Sequence, residues 1–116
     1  MQQIMELATR SFSARSVVED GKYVVMLNGE LDLDAAPKLT EALVPVIEDG
    51  DDDLVIDLSE LTFIDSSGLA TFIAARRRAS ERGRRLIIRS PRGATVRLLE
   101  LTGLMEYLGV EADGSA

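Results

Sequence analysis

Three residue types are missing from the 116-residue chain: cysteine, histidine and tryptophan. Without cysteine there can be no disulfide, no thiolate nucleophile and no thiolate metal ligand. Without histidine the chain also lacks the side chain that most often acts as a general base or a metal ligand near neutral pH. These absences exclude the commonest self-contained catalytic and metal sites, and they favour a reducing, cytosolic compartment.

Long hydrophobic runs are also missing. The longest apolar stretches, such as residues 24–27, are far shorter than the roughly 20 residues needed to cross a bilayer. Residues 1–10 include Glu6 and have neither a basic region nor an apolar run, so they do not have the pattern of a signal peptide. We therefore expect a cytoplasmic protein that does not insert into a membrane.

The overall composition is typical of one soluble globular domain. Hydrophobic residues make up 46% of the chain and charged residues 28%, and a length of 116 residues favours a single domain. Residues 1–10 are predicted to form a flexible N-terminal extension. Residues 111–116 are small and polar and are predicted to form a frayed C-terminal tail.

Charge is distributed unevenly along the chain. Residues 1–65 contain 4 basic and 15 acidic residues, whereas residues 66–116 contain 9 basic and 5 acidic residues. The net charge of −7 argues against general binding to nucleic acid. The arginine cluster of residues 76–85 is better explained as a solvated helix face, because consecutive helical residues point over a wide arc. An acidic protein partner is the other explanation that the sequence leaves open.

A β-hairpin is predicted near the N-terminus. Residues 11–19 and 22–28 are rich in β-branched and aromatic residues, which favour strands. They flank Asp20-Gly21, a dipeptide that readily adopts the positive φ angles of a tight turn.

A helix is predicted to follow the hairpin. Apolar residues at spacings of three and four lie on one helical face: Ala36, Leu39, Leu43 and Ile47. Asp34 is the predicted N-cap of this helix. Pro45 lacks an amide hydrogen and its ring crowds the carbonyl four residues earlier, so a kink or an early end is expected there.

A buried strand and a second helix come next. Residues 54–58 form a short, largely apolar run that is typical of a buried strand. Residues 59–64 are predicted to connect this strand to a helix that Asp65 or Ser66 caps. Gly83 is expected to mark the end of that helix.

The last elements complete an alternating α/β pattern. Residues 85–89 are predicted to form another buried strand. Ser90-Pro91 has the composition of a helix start, and Gly103 should end that third helix. The order β-β-α-β-α-β-α implies a mixed sheet with helices packed on it.

The pentapeptide Asp65-Ser66-Ser67-Gly68-Leu69 lies where a loop enters a helix. Serine hydroxyls at such a position are close to unpaired backbone N–H groups and to the positive end of the helix dipole, which suits a phosphate. The alternative is structural, with the polar side chains capping the helix and the glycine easing packing, and composition alone favours it. Serine catalysis is not expected, because the chain has no histidine base and no glycine two residues before the serine.

A second segment, Gly29-Glu30-Leu31-Asp32, follows a predicted strand but lacks the further glycines of a phosphate-binding loop. Asp32 and Asp34 are, by composition, turn and capping residues. The sequence therefore predicts no cofactor, no metal site and no enzymatic activity of its own.

Taken together, Gly29-Glu30-Leu31-Asp32 and Phe63-Ile64-Asp65-Ser66-Ser67-Gly68-Leu69 resemble the STAS domain family, and more narrowly its stand-alone anti-sigma factor antagonists. The resemblance covers residues 11–110. It implies an α/β fold in which an antiparallel N-terminal hairpin joins crossover-connected strands in one mixed sheet. Pro45 departs from the uninterrupted first helix of this family.

The resemblance also implies a partner-switching function. In this family the anti-sigma factor is a Ser/Thr kinase of the histidine-kinase-like ATPase fold, and it phosphorylates the serine that matches Ser66. The unphosphorylated antagonist binds the anti-sigma factor and frees the sigma factor, phosphorylation reverses this, and a phosphatase resets the switch. Ser67 is a candidate second acceptor. The positions that match the partner-binding surface are Asp32, Asp34, Asp65, Ser67, Gly68 and Leu69.

An alternative function keeps the same fold. STAS domains also serve as scaffold or accessory subunits, for example of transport ATPase complexes, and in that case Ser66 need not be phosphorylated.

Overall fold

The computed structural model of the chain describes residues 4–111. Five strands form in this part of the chain: β1 (Glu6–Ala8), β2 (Phe12–Glu19), β3 (Lys22–Leu31), β4 (Leu54–Ile64) and β5 (Leu86–Arg89). Four helices alternate with them or follow them: α1 (Ala35–Glu48), α2 (Ser66–Glu81), α3 (Ala94–Leu101) and α4 (Leu104–Tyr107).

The strands form one mixed sheet in the order β1-β2-β3-β4-β5. The β1–β2 and β2–β3 pairs are antiparallel, whereas the β3–β4 and β4–β5 pairs are parallel and are joined by the crossover helices α1 and α2. The hairpin turns at Asp20 and Gly21, whose φ angles are 49° and 75°. The predicted hairpin and the predicted mixed α/β sheet are both confirmed.

The main hydrophobic core lies between the helices and one face of the sheet. Alternate strand residues point to this face and pack against helical side chains; fully buried examples are Leu27, Ile56, Phe72 and Leu99. The opposite face holds only a small cluster centred on Val24, Val55 and Ile87. Burying one such side chain stabilises the fold by about 1.5–3 kcal/mol, so the core holds α1 and α2 firmly against the sheet.

β4 is longer than the sequence predicts. Residues 59–64 are not a connection, because they continue the strand and pair with the end of β3. The pairing shifts register between Met26 and Asn28, and again between Gly29 and Glu30. These shifts interrupt the two-residue alternation of buried side chains, and that alternation is the signal by which a strand is recognised in a sequence.

α1 continues through Pro45 to Glu48, so the predicted early end of this helix is wrong. Pro45 lies in the last turn, where its missing N–H removes only one internal hydrogen bond. The carbonyls of Val46 and Ile47, beyond the proline, accept hydrogen bonds from Nη1 of Arg84 at 2.8 and 2.7 Å. A residue distant in sequence therefore completes the helix end.

The N-terminal segment is more ordered than predicted. Glu6–Ala8, within the predicted flexible extension, forms the edge strand β1 and pairs with β2. The Met5 side chain lies in the core with 4% of its surface exposed. Burial of an apolar side chain next to a paired strand explains why this segment joins the sheet.

α3 begins at Ala94 and not at Ser90-Pro91. Ser90 has a φ angle of 57° and donates its N–H to the carbonyl of Glu111, so it cannot serve as the N-cap. Gly93 occupies the N-cap position instead. Glu111, the first residue of the predicted tail, bridges to β5, while residues 112–116 lie outside the described residues.

Two predicted helix ends are confirmed. Gly83 follows α2 with a φ angle of 70°, and Gly103 follows α3 with a φ angle of 72°. This left-handed conformation is one that glycine adopts without strain, and it is common just beyond a helix.

Candidate functional site

The two motifs meet at one edge of the sheet. Leu31, the last residue of β3, lies opposite Ile64, the last residue of β4, in a parallel pair. Asp32 and Asp65 therefore leave neighbouring strands at the same level. The N–H of Asp65 also donates to the carbonyl of Leu31 at 3.3 Å. The topology thus places the β3–α1 loop beside the first turn of α2.

Asp65, one of the two residues predicted to cap α2, is its N-cap. Its backbone is extended, with φ −115° and ψ −172°, and its Oδ1 accepts hydrogen bonds from the N–H groups of Ser67 at 2.9 Å and Gly68 at 3.2 Å. Because Asp65 already satisfies these donors, the helix does not need the Ser66 side chain as a cap. Ser66 is the first residue of α2 and is exposed.

Gly68 allows the first turn of α2 to approach the sheet closely. A Cβ atom added there would lie 2.6 Å from Cγ1 of Ile64 and 3.0 Å from the backbone oxygen of Leu31. Gly68 and its neighbour Leu69 are both buried, and Leu69 is only 6% exposed. These two residues therefore position the start of α2 against the sheet.

Thr71 links the start of α2 to α1. Its hydroxyl donates to the carbonyl of Ser67 at 3.2 Å and approaches the carbonyl of Ala36 at 3.4 Å and the hydroxyl of Thr40 at 3.1 Å. Thr71 is 5% exposed, whereas Ser67 is half-buried. Sequence reasoning missed Thr71, although its position four residues after Ser67 is where a threonine hydroxyl can bond back to a helical carbonyl.

Asp32, and not Asp34, organises the start of α1. Oδ1 of Asp32 accepts hydrogen bonds from the N–H groups of Asp34 at 3.1 Å and Ala35 at 3.0 Å. Asp34 occupies the N-cap position but has helical dihedral angles and no capping hydrogen bond from its side chain. It is exposed and pairs with Lys38 at 3.6 Å. The predicted N-cap position at Asp34 is confirmed, but its side chain makes no capping bond, because the Asp32 side chain binds the backbone N–H groups of this turn instead.

Two exposed apolar side chains lie beside these carboxylates. Leu33 is 73% exposed and Phe63 is 44% exposed. Both line a shallow depression whose other lining residues are acidic: Glu30, Asp32, Asp34 and Asp65. Sequence reasoning missed this pair. The position of Leu33 between two aspartates is a local signal that its side chain is exposed. Phe63 gives no such signal, because it lies in residues 59–64, which the sequence predicts to be a connection.

The arginine cluster of residues 76–85 faces the acidic connection between α1 and β4. Arg78 and Arg82 approach Glu48 at 3.2 and 3.7 Å, and Arg85 approaches Asp53 at 3.7 Å. These ion pairs join the negative and positive halves of the chain. They give the cluster a role within the fold and reduce the positive charge that it presents to a partner.

Asp57 lies in a separate charged group on the sheet face opposite the main core. Its Oδ1 accepts from the N–H and hydroxyl of Ser59 at 2.8 and 2.6 Å, and its Oδ2 accepts from Nε and Nη2 of Arg89 at 2.9 and 2.8 Å. Burial raises the pKa of the Asp57 carboxyl, but the bonds from Ser59 and Arg89 outweigh burial, so this pKa lies below its ordinary value. The group is internally satisfied and is structural.

The described part of the chain, residues 4–111, holds neither a candidate metal cluster nor a membrane-spanning helix. Within that range no group of three or more acidic side chains is arranged so that it could hold a metal ion. Nor does any helix in that range combine the length and the apolar character needed to cross a membrane.

Comparisons with known proteins agree with this geometry. A sequence model of the family described as "Mlab, STAS domain" matches residues 16–110. The "Anti-sigma-B factor antagonist" of Staphylococcus aureus (strain NCTC 8325 / PS 47) is 30% identical over 100 residues, which cover 86% of this chain and 93% of that protein.

Solved structures share the fold. An anti-sigma factor antagonist from Mycobacterium paratuberculosis aligns with a TM-score of 0.79 and 33% identity, covering 90% of this chain and 89% of that one. The Bacillus cell fate determinant SpoIIAA in its phosphorylated form aligns with a TM-score of 0.66 and 19% identity, covering 97% and 93%. Because the family match spans residues 16–110 and the S. aureus relative matches along nearly its whole length, the chain belongs to the STAS domain family.

Proposed function

We propose that this protein is an anti-sigma factor antagonist that is switched by phosphorylation of Ser66. In its unphosphorylated form it binds an anti-sigma factor that is itself a Ser/Thr kinase of the histidine-kinase-like ATPase fold, and the sigma factor is released. The proposal rests above all on the exposed Ser66 at the start of α2, beside a helix cap that Asp65 supplies. The relatives named as antagonists support the same function.

The chemistry requires nothing catalytic from this chain. The Ser66 hydroxyl oxygen attacks the γ-phosphorus of ATP, its proton passes to a base of the kinase, and ADP leaves as the new O–P bond forms. An exposed hydroxyl on a rigid helix start is a suitable acceptor. The absence of histidine and cysteine is compatible with a substrate whose base, metal and nucleotide are supplied by the partner.

The phosphate would change the binding surface sharply. It adds about −1.5 to −2 charges and three acceptor oxygens at neutral pH. The N–H groups of Ser67 and Gly68 are already bonded to Asp65, so they are not available to neutralise the new group. The phosphate would therefore project from α2, and a close-packed partner would have to desolvate it, which is costly. Moving a complex from 99% bound to 99% free takes about 5.5 kcal/mol of differential affinity.

A phosphatase that acts on phospho-Ser66 would restore binding. Ser67 is a poorer acceptor by geometry, because it is half-buried and its N–H is held by Asp65. We therefore expect Ser66 to carry the phosphate, and we expect the exchange to take place in the cytoplasm with no nucleic acid and no membrane insertion.

Phosphorylation with matched variants tests the proposal. The protein is mixed with ATP and a purified anti-sigma factor of the histidine-kinase-like fold from the same genome, and the modified residue is mapped by mass spectrometry. We expect one phosphate on wild type and on Ser67→Ala, and none on Ser66→Ala. Equal modification of Ser66→Ala would overturn the site.

The alternative function, a scaffold or accessory subunit of a transport ATPase complex, makes the opposite prediction. Such a subunit would bind its partner equally well as Ser66→Asp and as wild type. A pull-down with both proteins separates the two functions, since the antagonist should lose its partner when the negative charge is introduced.

A further inference from the structure

A groove lies along the outer edge of β5, on the side of that strand away from β4. It has a volume of about 430 Å³ and is bounded by the second half of α2, the start of β5 and the segment that follows α4. Three of its lining residues are arginines, Arg76, Arg84 and Arg85, and one is acidic, Glu111. We call it the basic groove. Its volume is within the range of about 300–1,000 Å³ that is typical of binding pockets.

The backbone at the start of β5 turns polar groups into this groove. The N–H of Leu54 in β4 donates to the carbonyl of Arg85 at 2.8 Å. Because successive residues of a strand turn their backbone polar groups to opposite sides, those of Leu86 and Ile88 point away from β4. Within residues 4–111, no group hydrogen-bonds to the N–H or carbonyl of Leu86 or to the N–H of Ile88. Unpaired groups of this kind are the template on which another extended chain can add.

The chain itself occupies the other half of this edge. Glu111 donates its N–H to the carbonyl of Ile88 at 2.8 Å and accepts from the N–H of Ser90 at 2.9 Å, in a parallel bridge. The edge of β5 therefore already pairs with one extended acidic residue through main-chain hydrogen bonds. The groups that remain, on Leu86 and Ile88, match an extended segment of about three further residues, since only every second residue of a strand bonds to a given neighbour.

One arginine flanks the edge on each face of the sheet. Leu86 belongs to the main core and Ile87 to the cluster on the opposite face, so Arg85 lies on the opposite face, two residues before Ile87. Arg76 comes from α2, on the core side, and its guanidinium lies 5.1 Å from the centre of the Tyr107 ring. Successive side chains of an added segment also point to opposite faces. Two adjacent acidic residues would therefore meet one arginine each.

The positive charge of these two arginines is available to a partner. The Arg85 side chain is 70% exposed, and its ion pair with Asp53 is long, at 3.7 Å. In the described part of the chain no carboxylate forms an ion pair with Arg76. Arg84 is different, because its guanidinium binds backbone carbonyls at the end of α1 and in the connection to β4. Glu111 adds one negative charge, so the groove keeps a net positive charge.

We propose that the basic groove binds an extended acidic segment of another protein, which adds to the edge of β5 and places two adjacent carboxylates against Arg76 and Arg85. Main-chain bonds to Leu86 and Ile88 hold the segment, and the arginines select its charge. Arg76 follows Ser66 by ten residues, which is about 15 Å along α2. The groove is therefore separate from the phosphorylation surface, and the inference does not depend on the proposed function.

Binding of a short peptide tests the site. The probe is a capped peptide with two adjacent glutamates between valine and threonine residues, and its Kd is measured by fluorescence anisotropy at low salt. Replacing both glutamates by glutamine should weaken binding about tenfold or more. Arg76→Gln and Arg85→Gln should each weaken it about fivefold. The control is Arg77→Gln, an exposed neighbour on α2 that does not line the groove, and its Kd should stay within about twofold of wild type.

Hydrogen exchange measured by NMR locates the bound peptide. At saturation the amide protons of Leu86 and Ile88 should exchange about tenfold more slowly, because they become hydrogen-bonded. The amide protons of β1, the strand at the other edge of the sheet, should not change. Ser66→Asp should bind the peptide as tightly as wild type, since the two surfaces are at different ends of α2. Circular dichroism and the unfolding midpoint show that each variant is folded.

Several results would overturn the inference. Strand addition is refuted if the glutamate peptide shows no saturable binding, if the glutamine peptide binds equally well, or if exchange at Leu86 and Ile88 is unchanged at saturation. Inorganic phosphate that binds as tightly as the peptide would make the groove a site for small anions and not for a protein segment. Loss of peptide binding in Ser66→Asp would place the contact at the start of α2 and refute the location.

Discussion

Arg84 should be the most important single charged residue for stability. It is 6% exposed, and its guanidinium donates to three backbone carbonyls. Nη1 binds the carbonyls of Val46 and Ile47, while Nε and Nη2 bind the carbonyl of Asp52 at 2.9 and 2.7 Å. Burial lowers the pKa of Arg84, with nearby carboxylates opposing this effect. The side chain thus completes the end of α1 and holds the acidic connection to β4.

The substitution Arg84→Met removes these bonds but keeps much of the apolar stem. A buried carbonyl left without a partner costs about 1–3 kcal/mol. With three carbonyls affected and some access of water to Asp52, we expect a loss of about 3–5 kcal/mol. Out of a total stability of about 5–15 kcal/mol, such a loss is severe. Arg84→Lys should be intermediate, because one ammonium group cannot reproduce the planar fork.

Urea unfolding provides the assay. The midpoint for Arg84→Met should fall by about 2 M with an unchanged slope. The control is Arg85→Met, since Arg85 is adjacent and exposed, and its ion pair with Asp53 at 3.7 Å should be worth no more than about 1 kcal/mol. If the two variants differ by less than 1 kcal/mol, the carbonyl contacts of Arg84 do not carry the stability assigned to them.

Two further predictions concern acid stability and the helix start. Burial raises the pKa of Asp57, but the bonds from Ser59 and Arg89 hold the folded pKa below its ordinary value, so the stabilising contribution of Asp57 is present at neutral pH and is lost as the pH falls through the folded pKa. Asp57→Asn should be about 1–2 kcal/mol less stable at pH 7, and the gap should close on acid titration of urea midpoints. A gap that stays unchanged throughout the acid titration would contradict this linkage. Gly68→Ala should cost about 1–3 kcal/mol in overpacking against Ile64, offset by about 1 kcal/mol of helix propensity, and should slow phosphorylation of Ser66. Ala70→Gly measures the propensity alone, and a Gly68→Ala protein more stable than wild type would refute the close approach.

The two halves of the chain, opposite in charge, are brought together by the fold. The sequence shows a change of sign near residue 65 but does not show which charges meet. In the structure, Glu48 at the end of α1 and Asp53 in the acidic connection pair with arginines of α2 and of the turn that follows it. These pairs join α2 and the turn after it to the end of α1 and to the connection, whereas four carboxylates line the depression formed by the β3–α1 loop and the end of β4.

Predictions from sequence succeeded where short-range interactions decide the structure. Asp20-Gly21 forms the turn of the hairpin, Asp65 caps the start of α2, and Gly83 marks the end of α2. In each case the conformation depends on a residue's own dihedral preferences or on donors two or three positions away. At Ser90 the prediction failed because the chain there has a positive φ angle and bridges to the distant Glu111. At Asp34 the expected side-chain bond is missing because the nearby Asp32 accepts from the N–H groups of that turn.

The sequence by itself determined the mixed α/β order and a helix cap at Asp65 or Ser66, because local periodicity and capping chemistry specify them. Only the tertiary structure decided that α1 passes Pro45, that residues 59–64 are strand, and that Leu33 and Phe63 line the same depression. These features depend on Arg84 reaching the end of α1 and on the parallel register of β3 and β4. Contacts between residues about 30 or more positions apart leave no periodic trace in a single sequence. Such contacts bring together the surface that would meet the partner.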